Sequence, residues 1–310
     1  MKTALITGAF GQDGFFLTKH LLKIDGYKIL CTSYSFNKEI DQLYKHKNVQ
    51  IEQLDIKNEY EIHRIIKKYK PDEIYHLASF SAPIISWVNP QEVISVNGDS
   101  TVCILDAIRL FSSETKLFFA SSAKIFGTPY QTPQTEDTPT NPLDPYSLGK
   151  YISHQAVKLY RNKFDIFACN GILYNHESYL KNLNFVVYKI CHYAKLLKQN
   201  KITTFSLLNL NSTIDFGDPR DYVEAMYLIL QQNSPDDYII SMKNSISIKD
   251  VCVLVGKLLS IPNILSHIKV EQTNLNNKKI IGDNTKLKKI GWEPKYIIEG
   301  TLKMILNSKI

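Results

Sequence analysis

Eight residues near the start of the chain, Thr7-Gly8-Ala9-Phe10-Gly11-Gln12-Asp13-Gly14, constrain the fold more than any others. They follow a short apolar run, TALIT (residues 3–7), that suits a buried parallel strand. They precede FFLTKHLLKID, in which Phe15, Phe16, Leu21 and Leu22 recur at helical spacing. In that setting each glycine has a task. Gly8 allows the tight turn, Gly11 lets a pyrophosphate approach the backbone, and Gly14 lets the helix pack close to the strand. The helix N-terminus offers unpaired N–H groups and the positive end of its dipole to phosphates. A bare strand–helix turn would use the same glycines, but the strand before and the helix after favour a dinucleotide site. Its contacts are expected from Gly8, Gly11, Gln12, Asp13 and Gly14.

The pattern then repeats. Strands are expected at Lys28–Thr32, near Val49–Gln53, at EIYHLA, at KLFFASS and at DIFACNGIL. Helices are expected at NEYEIHRIIKKYKPD (stopped by Pro71), at QEVISVNGDSTVCILDAIRLF and at PYSLGKYISHQAVKLYRNKF. Strands alternating with helices predict an α/β fold, a Rossmann-type doubly wound parallel sheet. After about Tyr174 the alternation loosens and Asn, Lys and Ser become common, as in a smaller C-terminal substrate-binding domain. The expected division is residues 1–174 plus 214–241 for the NAD(P)-binding sheet domain and 175–213 plus 242–310 for the cap. KLKKIGWEPKYIIEGTLKMIL reads as a turn at Gly291–Pro294 and a closing helix.

Bulk properties narrow the class. With 310 residues and 44% hydrophobic content the chain can bury a large α/β core. A net charge of +7 fits an anionic ligand and equally an ordinary solvated surface. No dense Lys/Arg run with interleaved aromatics points to nucleic acid. The five cysteines are scattered without a CxxC pair, which reads as free thiols in a reducing cytoplasm and not as a zinc site or disulfide frame. No run of about 18 apolar residues suggests a membrane span.

The acidic residue usual about 20 positions after such a glycine turn, which holds an adenosine ribose, is missing; Cys31-Thr32-Ser33-Tyr34-Ser35 stands there. No arginine is placed for a 2′-phosphate either, so NAD and NADP both remain open. Asp55-Ile56, closing the third strand, can hold and cover an adenine; a surface turn would look the same.

Tyr146-Ser147-Leu148-Gly149-Lys150 places a phenol and an ammonium one helical turn apart, on one face. The ammonium is expected to lower the phenol pKa, so that Tyr146 can take a proton from a sugar hydroxyl as hydride leaves its carbon. Lys150 also reaches toward a nicotinamide ribose. Ser122 closes KLFFASS at the sheet edge where ligands of such folds bind, and can hydrogen-bond the same reacting oxygen or simply cap a turn. Glycine turn, serine and Tyr–Lys in this order point to redox chemistry.

These motifs resemble the extended short-chain dehydrogenase/reductase family, and within it the GDP-mannose 4,6-dehydratase branch. The resemblance runs over nearly the whole chain through ALITGAFGQDG (4–14), PDEIYHLAS (71–79), FACNGILYNHES (167–178), DYVEAMYLILQQ (221–232) and GDNTKLKKIGWEPK (282–295). It implies NAD(P)-dependent oxidation at C4 of a GDP-linked sugar, with Ser122, Tyr146 and Lys150 catalytic. It adds Ala78 to the cofactor contacts, Asn175 to the sugar or diphosphate and Lys189 to the phosphates; a solvated helix lysine is an equal reading of Lys189. Family members commonly form dimers or tetramers. Three positions depart from the pattern. Lys124 stands where dehydratases carry a glutamate two residues after the catalytic Ser/Thr, and would act as a base only if burial depressed its pKa. Ile214 and Thr273 stand where the family places nucleotide-binding arginines, leaving Arg220, Lys278 or Lys279 to compensate. Without the elimination carboxylate, Ser-Ser-Ala-x-x-x-Gly looks more like epimerases and 4-keto reductases. The expectation is a C4 oxidoreductase on a GDP-linked hexose or heptose (4-keto reductase, 4-dehydrogenase or epimerase) for surface sugars. A 4,6-dehydratase using Lys124 is the rival, and a non-catalytic nucleotide-binding protein on the same fold is the third reading.

Overall fold

The computed structural model describes residues 1–34, 42–81, 86–271 and 280–308. Its first half alternates as the sequence predicts: β1 (Lys2–Thr7), α1 (Gln12–Leu21), β2 (Tyr27–Ser33), β3 (Val49–Gln53), α2 (Glu59–Tyr69), β4 (Glu73–His76), α3 (Pro90–Ile94), α4 (Ser100–Phe111), β5 (Lys116–Ser122), α5 (Pro145–Phe164) and β6 (Ala168–Leu173). There follow β7 (Asn175–His176), α6 (Val186–Lys198), β8 (Phe205–Leu207), β9 (Thr213–Ile214), β10 (Phe216–Gly217), α7 (Pro219–Leu230), β11 (Asp237–Ile240), β12 (Ile246–Ser247), α8 (Ile248–Leu259), β13 (Ile268–Val270), α9 (Thr285–Lys289) and α10 (Ile298–Asn307).

Seven strands form one parallel sheet in the order β11-β6-β5-β4-β1-β2-β3. The strand order reverses between β1 and β4, and that switch point is where doubly wound sheets bind ligands. One face is covered by α1 and α7, burying Ile6, Leu17, Phe118, Met226 and Trp292. The other is covered by α2, α4 and α5, burying Leu5, Ile66, Ile108, Phe119 and Val157. A third apolar cluster joins α6, α8 and α10 through Ile190, Cys191, Val251, Leu302 and Ile305.

The hydroxyl of Thr7, at the end of β1, ties the switch point together. It accepts from the amides of Leu77 and Ala78, each at 3.2 Å, and lies 2.7 Å from His76 Nδ1, to which its own proton is left to go. Burial, with Lys150 adding to it, pushes His76 down to about 3, so the ring is neutral.

One expected helix departs from the sequence reading. QEVISVNGDSTVCILDAIRLF opens a wide π turn at Ser95–Asp99 between α3 and α4. There Asn97 turns inward, accepting from Phe80 N at 2.8 Å and donating to Phe80 O at 3.2 Å. The wide turn thus holds the segment leaving β4, next to the sheet edge.

Candidate active site

The glycine turn is shaped by backbone crowding. Gly8 has φ +68°, and a Cβ there would lie 2.8 Å from Ala78 N and Cα. At Gly14 a Cβ would lie 2.5 Å from the carbonyl oxygens of Gly8 and Ala9. Gly11 is the N-cap of α1 with no side-chain cap, so the first amides of the helix are left for a ligand. A cavity of about 660 Å³ opens in front of the turn. Gly8, Gly11, Gln12, Asp13, Gly14, Asp55, Ile56 and Ala78 all line it. The cradle closed by three glycines, the uncapped helix end and the cavity's size fit a dinucleotide. Asp55 Oδ1 accepts from Lys57 N at 2.9 Å, so this residue also performs the surface-turn role. Ser33 and Tyr34 line the cavity as well, while Ser35 lies outside the described residues.

Gln12 and Asp13 are tied to β7 and the residues after it. Asp13 Oδ1 lies 2.8 Å from His176 Nε2, Gln12 Nε2 donates to His176 O at 3.1 Å, and Ser178 donates to Gln12 Oε1 at 2.8 Å. The His176 ring stacks on Tyr222, centroids 4.2 Å apart. Burial raises the Asp13 carboxyl, but His176 and Lys181 together outweigh it and hold the group well below the usual carboxylate range.

A second cavity, about 390 Å³, adjoins the first; Asp13, Leu77, Ser79, Ser81, Lys181 and Phe185 line both. Ser122, Tyr146 and Lys150 share its lining. Local sequence explains their placement. Asp144 and Ser147 form a reciprocal capping box, and Pro145 pre-sets the first turn of α5. Tyr146 therefore sits in that first turn and Lys150 one turn on. Ser122 ends β5 and caps the turn Ala123–Phe126, accepting from Lys124 N at 3.2 Å. Lys150 is buried, donates to Ala120 O at 2.8 Å and lies 5.0 Å from the Phe119 ring centre. Burial pushes it down to about 7, against a pull upward from Asp13. The expected lowering of the phenol is not found in the chain alone. Burial, with Asp144 and Asp13 adding, pushes Tyr146 up to about 12 against a downward pull from the Ser122 hydroxyl.

The remaining candidates divide. Lys124 and Asn175 line the second cavity and are exposed; the burial on which Lys124's use as a base depends is absent. Ile214 lines it too. Lys189, on α6, lines neither cavity, whereas Lys181 lines both. Arg220 also lines neither. Its guanidinium forks onto Asp218 (Nε–Oδ1 2.8 Å, Nη2–Oδ2 2.7 Å) and covers the Tyr296 ring at 3.6 Å, so it holds α7 in place. Thr273, Lys278 and Lys279 lie outside the described residues. Sequence reading missed His176, Glu177 and Lys181; the first two stand in NHES, where only Asn175 was singled out.

The fold and its paired cavities define the class, a Rossmann-type protein of the extended short-chain dehydrogenase/reductase kind. The sequence profile of the GDP-mannose 4,6 dehydratase family matches residues 5–305, and the chain belongs to that family. GDP-mannose 4,6 dehydratase 1 of Arabidopsis thaliana is 32% identical over all of this chain and 90% of its own length. Among solved structures, the UDP-glucose 4-epimerase of Thermus thermophilus, in complex with NAD, superimposes with a TM-score of 0.84 at 18% identity, covering 98% of each chain. RMD of Pseudomonas aeruginosa, complexed with NADPH, gives 0.83 at 17% identity over 99% of this chain and 98% of that one. No helix among the described residues is long and apolar enough to cross a membrane.

Proposed function

We propose that the chain is an NAD(P)-dependent oxidoreductase acting at C4 of a nucleotide-linked hexose or heptose, with a GDP-sugar as substrate. The observation that carries this is the meeting of Ser122, Tyr146 and Lys150 in one cavity that opens into the cradle of Gly8, Gly11 and Gly14. A nicotinamide dinucleotide bound in that cradle supplies hydride acceptance or donation. The chain's own groups do the rest. Gly8, Gly11, Gly14 and the uncapped end of α1 seat its pyrophosphate. Ser122 orients the C4 oxygen, and Tyr146 moves the proton to or from it. Lys150 binds ribose and stabilises the phenolate; phosphates brought near it favour its charged form, opposing the burial that pushes it to about 7. Asn175 holds the sugar, and the α6–α8–α10 unit closes over the substrate. Homo-oligomerisation and a cytoplasmic setting, consistent with five free thiols, complete the reading.

The position two residues after Ser122 favours simple C4 chemistry (reduction, dehydrogenation or epimerisation), because it carries an exposed lysine and no carboxylate. The family match over residues 5–305 favours a second reading, 4,6-dehydration. Purified protein incubated with GDP-mannose and NAD or NADP distinguishes them. A rise in reduced-cofactor absorbance with product mass lowered by two hydrogens, or a C4 isomer of unchanged mass with no net cofactor change, supports simple C4 chemistry. Loss of water with no net cofactor change supports dehydration. Tight cofactor retention without turnover on any nucleotide sugar contradicts both.

A further inference from the structure

The cavity that holds Tyr146 and Lys150 fixes the nicotinamide end of the cradle. The adenosine end therefore lies over the ends of β2 and β3, where Ser33, Tyr34, Asp55, Ile56 and Lys57 line the first cavity together with Glu92 of α3. The ribose 2′ position faces this wall, and NAD and NADP differ only there, by a phosphate carrying about two negative charges. Thr32 is turned inward and donates to Ile6 O at 3.2 Å. Ser33 and Tyr34 are fixed beside β3 by bonds from Leu54 N to Ser33 O at 3.0 Å and from Gln53 Nε2 to Tyr34 O at 3.3 Å. Their side chains bring hydroxyls to the wall and no cation. Lys57 brings the one ammonium of this end among the described residues, and that ammonium is engaged. Its Nζ donates to Glu92 Oε1 at 2.9 Å, while the other Glu92 oxygen accepts from Asn89 Nδ2 at 2.9 Å. The Glu92 bond and charge, with Asp55 and Tyr34 adding, hold Lys57 above the ordinary lysine value. The second ammonium in the described lining, Lys181, belongs to the nicotinamide side, where it lines both cavities and acts on Asp13 and Glu177. Around the 2′ position the described wall thus sets Lys57 against two carboxylates, Asp55 and Glu92.

We propose that the chain takes NAD and rejects NADP, and that Glu92 enforces the choice by holding Lys57 out of reach of a 2′-phosphate. This rests on the reading above that a nicotinamide dinucleotide occupies the glycine cradle, and not on what happens at C4. A 2′-phosphate set against this wall meets more negative than positive charge. Taking Lys57 as its partner would break the Lys57–Glu92 pair and leave the Glu92 carboxylate beside the phosphate. A plain 2′-hydroxyl disturbs neither charge. The selection works by an element that repels the wrong ligand, a common route to specificity. Glu92 and Lys57 come from different segments, α3 and the residues after β3, so the pair also closes the wall from two sides.

The test is calorimetric titration of the intact chain, freed of any retained dinucleotide, with NAD and with NADP at one ionic strength. NAD should bind at least about tenfold more tightly than NADP. Glu92→Gln keeps the shape of the wall and removes its charge, so the ratio of the two dissociation constants should fall by about threefold or more in favour of NADP. Ser33→Arg supplies a planar cation for the 2′-phosphate and should bring NADP level with NAD or tighter. Melting temperatures equal to that of the unaltered protein show that both variants are folded. NADP bound as tightly as NAD by the unaltered protein overturns the proposal. An unchanged ratio in Glu92→Gln overturns the part given to the ion pair, and an unchanged ratio in Ser33→Arg overturns the placing of the 2′ position at this wall. The titration needs no turnover, so it separates this proposal from the C4 reading. Tight, selective binding of NAD with no chemistry on any nucleotide sugar supports the proposal and removes only that reading. Binding of neither dinucleotide overturns both.

Discussion

Lys150→Met should make the cofactor-free protein more stable while removing its chemistry. Lys150 is 3% exposed, and burial takes its pKa from the ordinary 10.5 to about 7. At about 1.4 kcal/mol per pH unit, keeping the charged form buried costs about 5 kcal/mol. Methionine forfeits the bond to Ala120 O, worth about 1–2 kcal/mol, and fills the same space with a flexible apolar chain. The net gain expected at or below pH 7 is about 3 kcal/mol, or about 4 °C in melting temperature for a chain of this length. The sign follows from proton counting. Between about pH 7 and 10.5 the unfolded lysine binds a proton that the native one has released, so the unaltered protein gains stability as pH rises there. The advantage of methionine therefore shrinks by about 1.4 kcal/mol per pH unit above 7 and is gone near pH 9. Differential scanning calorimetry of both proteins, stripped of cofactor, from about pH 6 to 9 measures this. A methionine variant that melts lower than the unaltered protein at about pH 6.5, or a difference that does not change with pH, refutes the reasoning.

Tyr146→Phe removes the proton carrier but keeps the ring's packing. Hydride transfer should fall by at least about 10²–10⁴-fold with the cofactor still retained, as stopped-flow absorbance and mass spectrometry of released cofactor will show. Gly8→Ala must place a Cβ 2.8 Å from the Ala78 backbone at φ +68°. The strained φ costs about 1–2 kcal/mol and the overpacking about 1–3 kcal/mol; calorimetry should show a lower melting temperature and the purified variant should carry less dinucleotide. Lys124→Glu puts a carboxylate on the cavity wall, and product mass should then show loss of water from GDP-mannose; no such gain would remove Lys124 as the determinant of outcome.

What was legible in the sequence was local. The strand–turn–helix at Thr7–Gly14 and the capped first turn that presents Tyr146 and Lys150 depend on residues a few positions apart, and their spacing alone places them. The misses all depend on distant partners. The wide turn at Ser95–Asp99 exists because Asn97 bonds Phe80, on another segment. His176 reaches Asp13 because β7 pairs with β10 and stacks its histidine on Tyr222. Arg220 was free to bind phosphate on paper, yet Asp218 and Tyr296 claim it. The phenol of Tyr146 was expected to fall because Lys150 is near in sequence; burial, set by the whole cavity wall, raises it instead, and Lys150 is not among the groups that shift it.

The central claim is that hydride leaves or enters at C4 of a nucleotide sugar beside Tyr146. GDP-mannose carrying deuterium at C4, mixed with the protein loaded with oxidised NAD or NADP, tests it in one turnover. Mass spectrometry should find the deuterium on the reduced nicotinamide, and Tyr146→Phe should prevent its transfer. Deuterium still at C4 of unchanged GDP-mannose, with no reduced nicotinamide formed at any time in the turnover, would contradict the account.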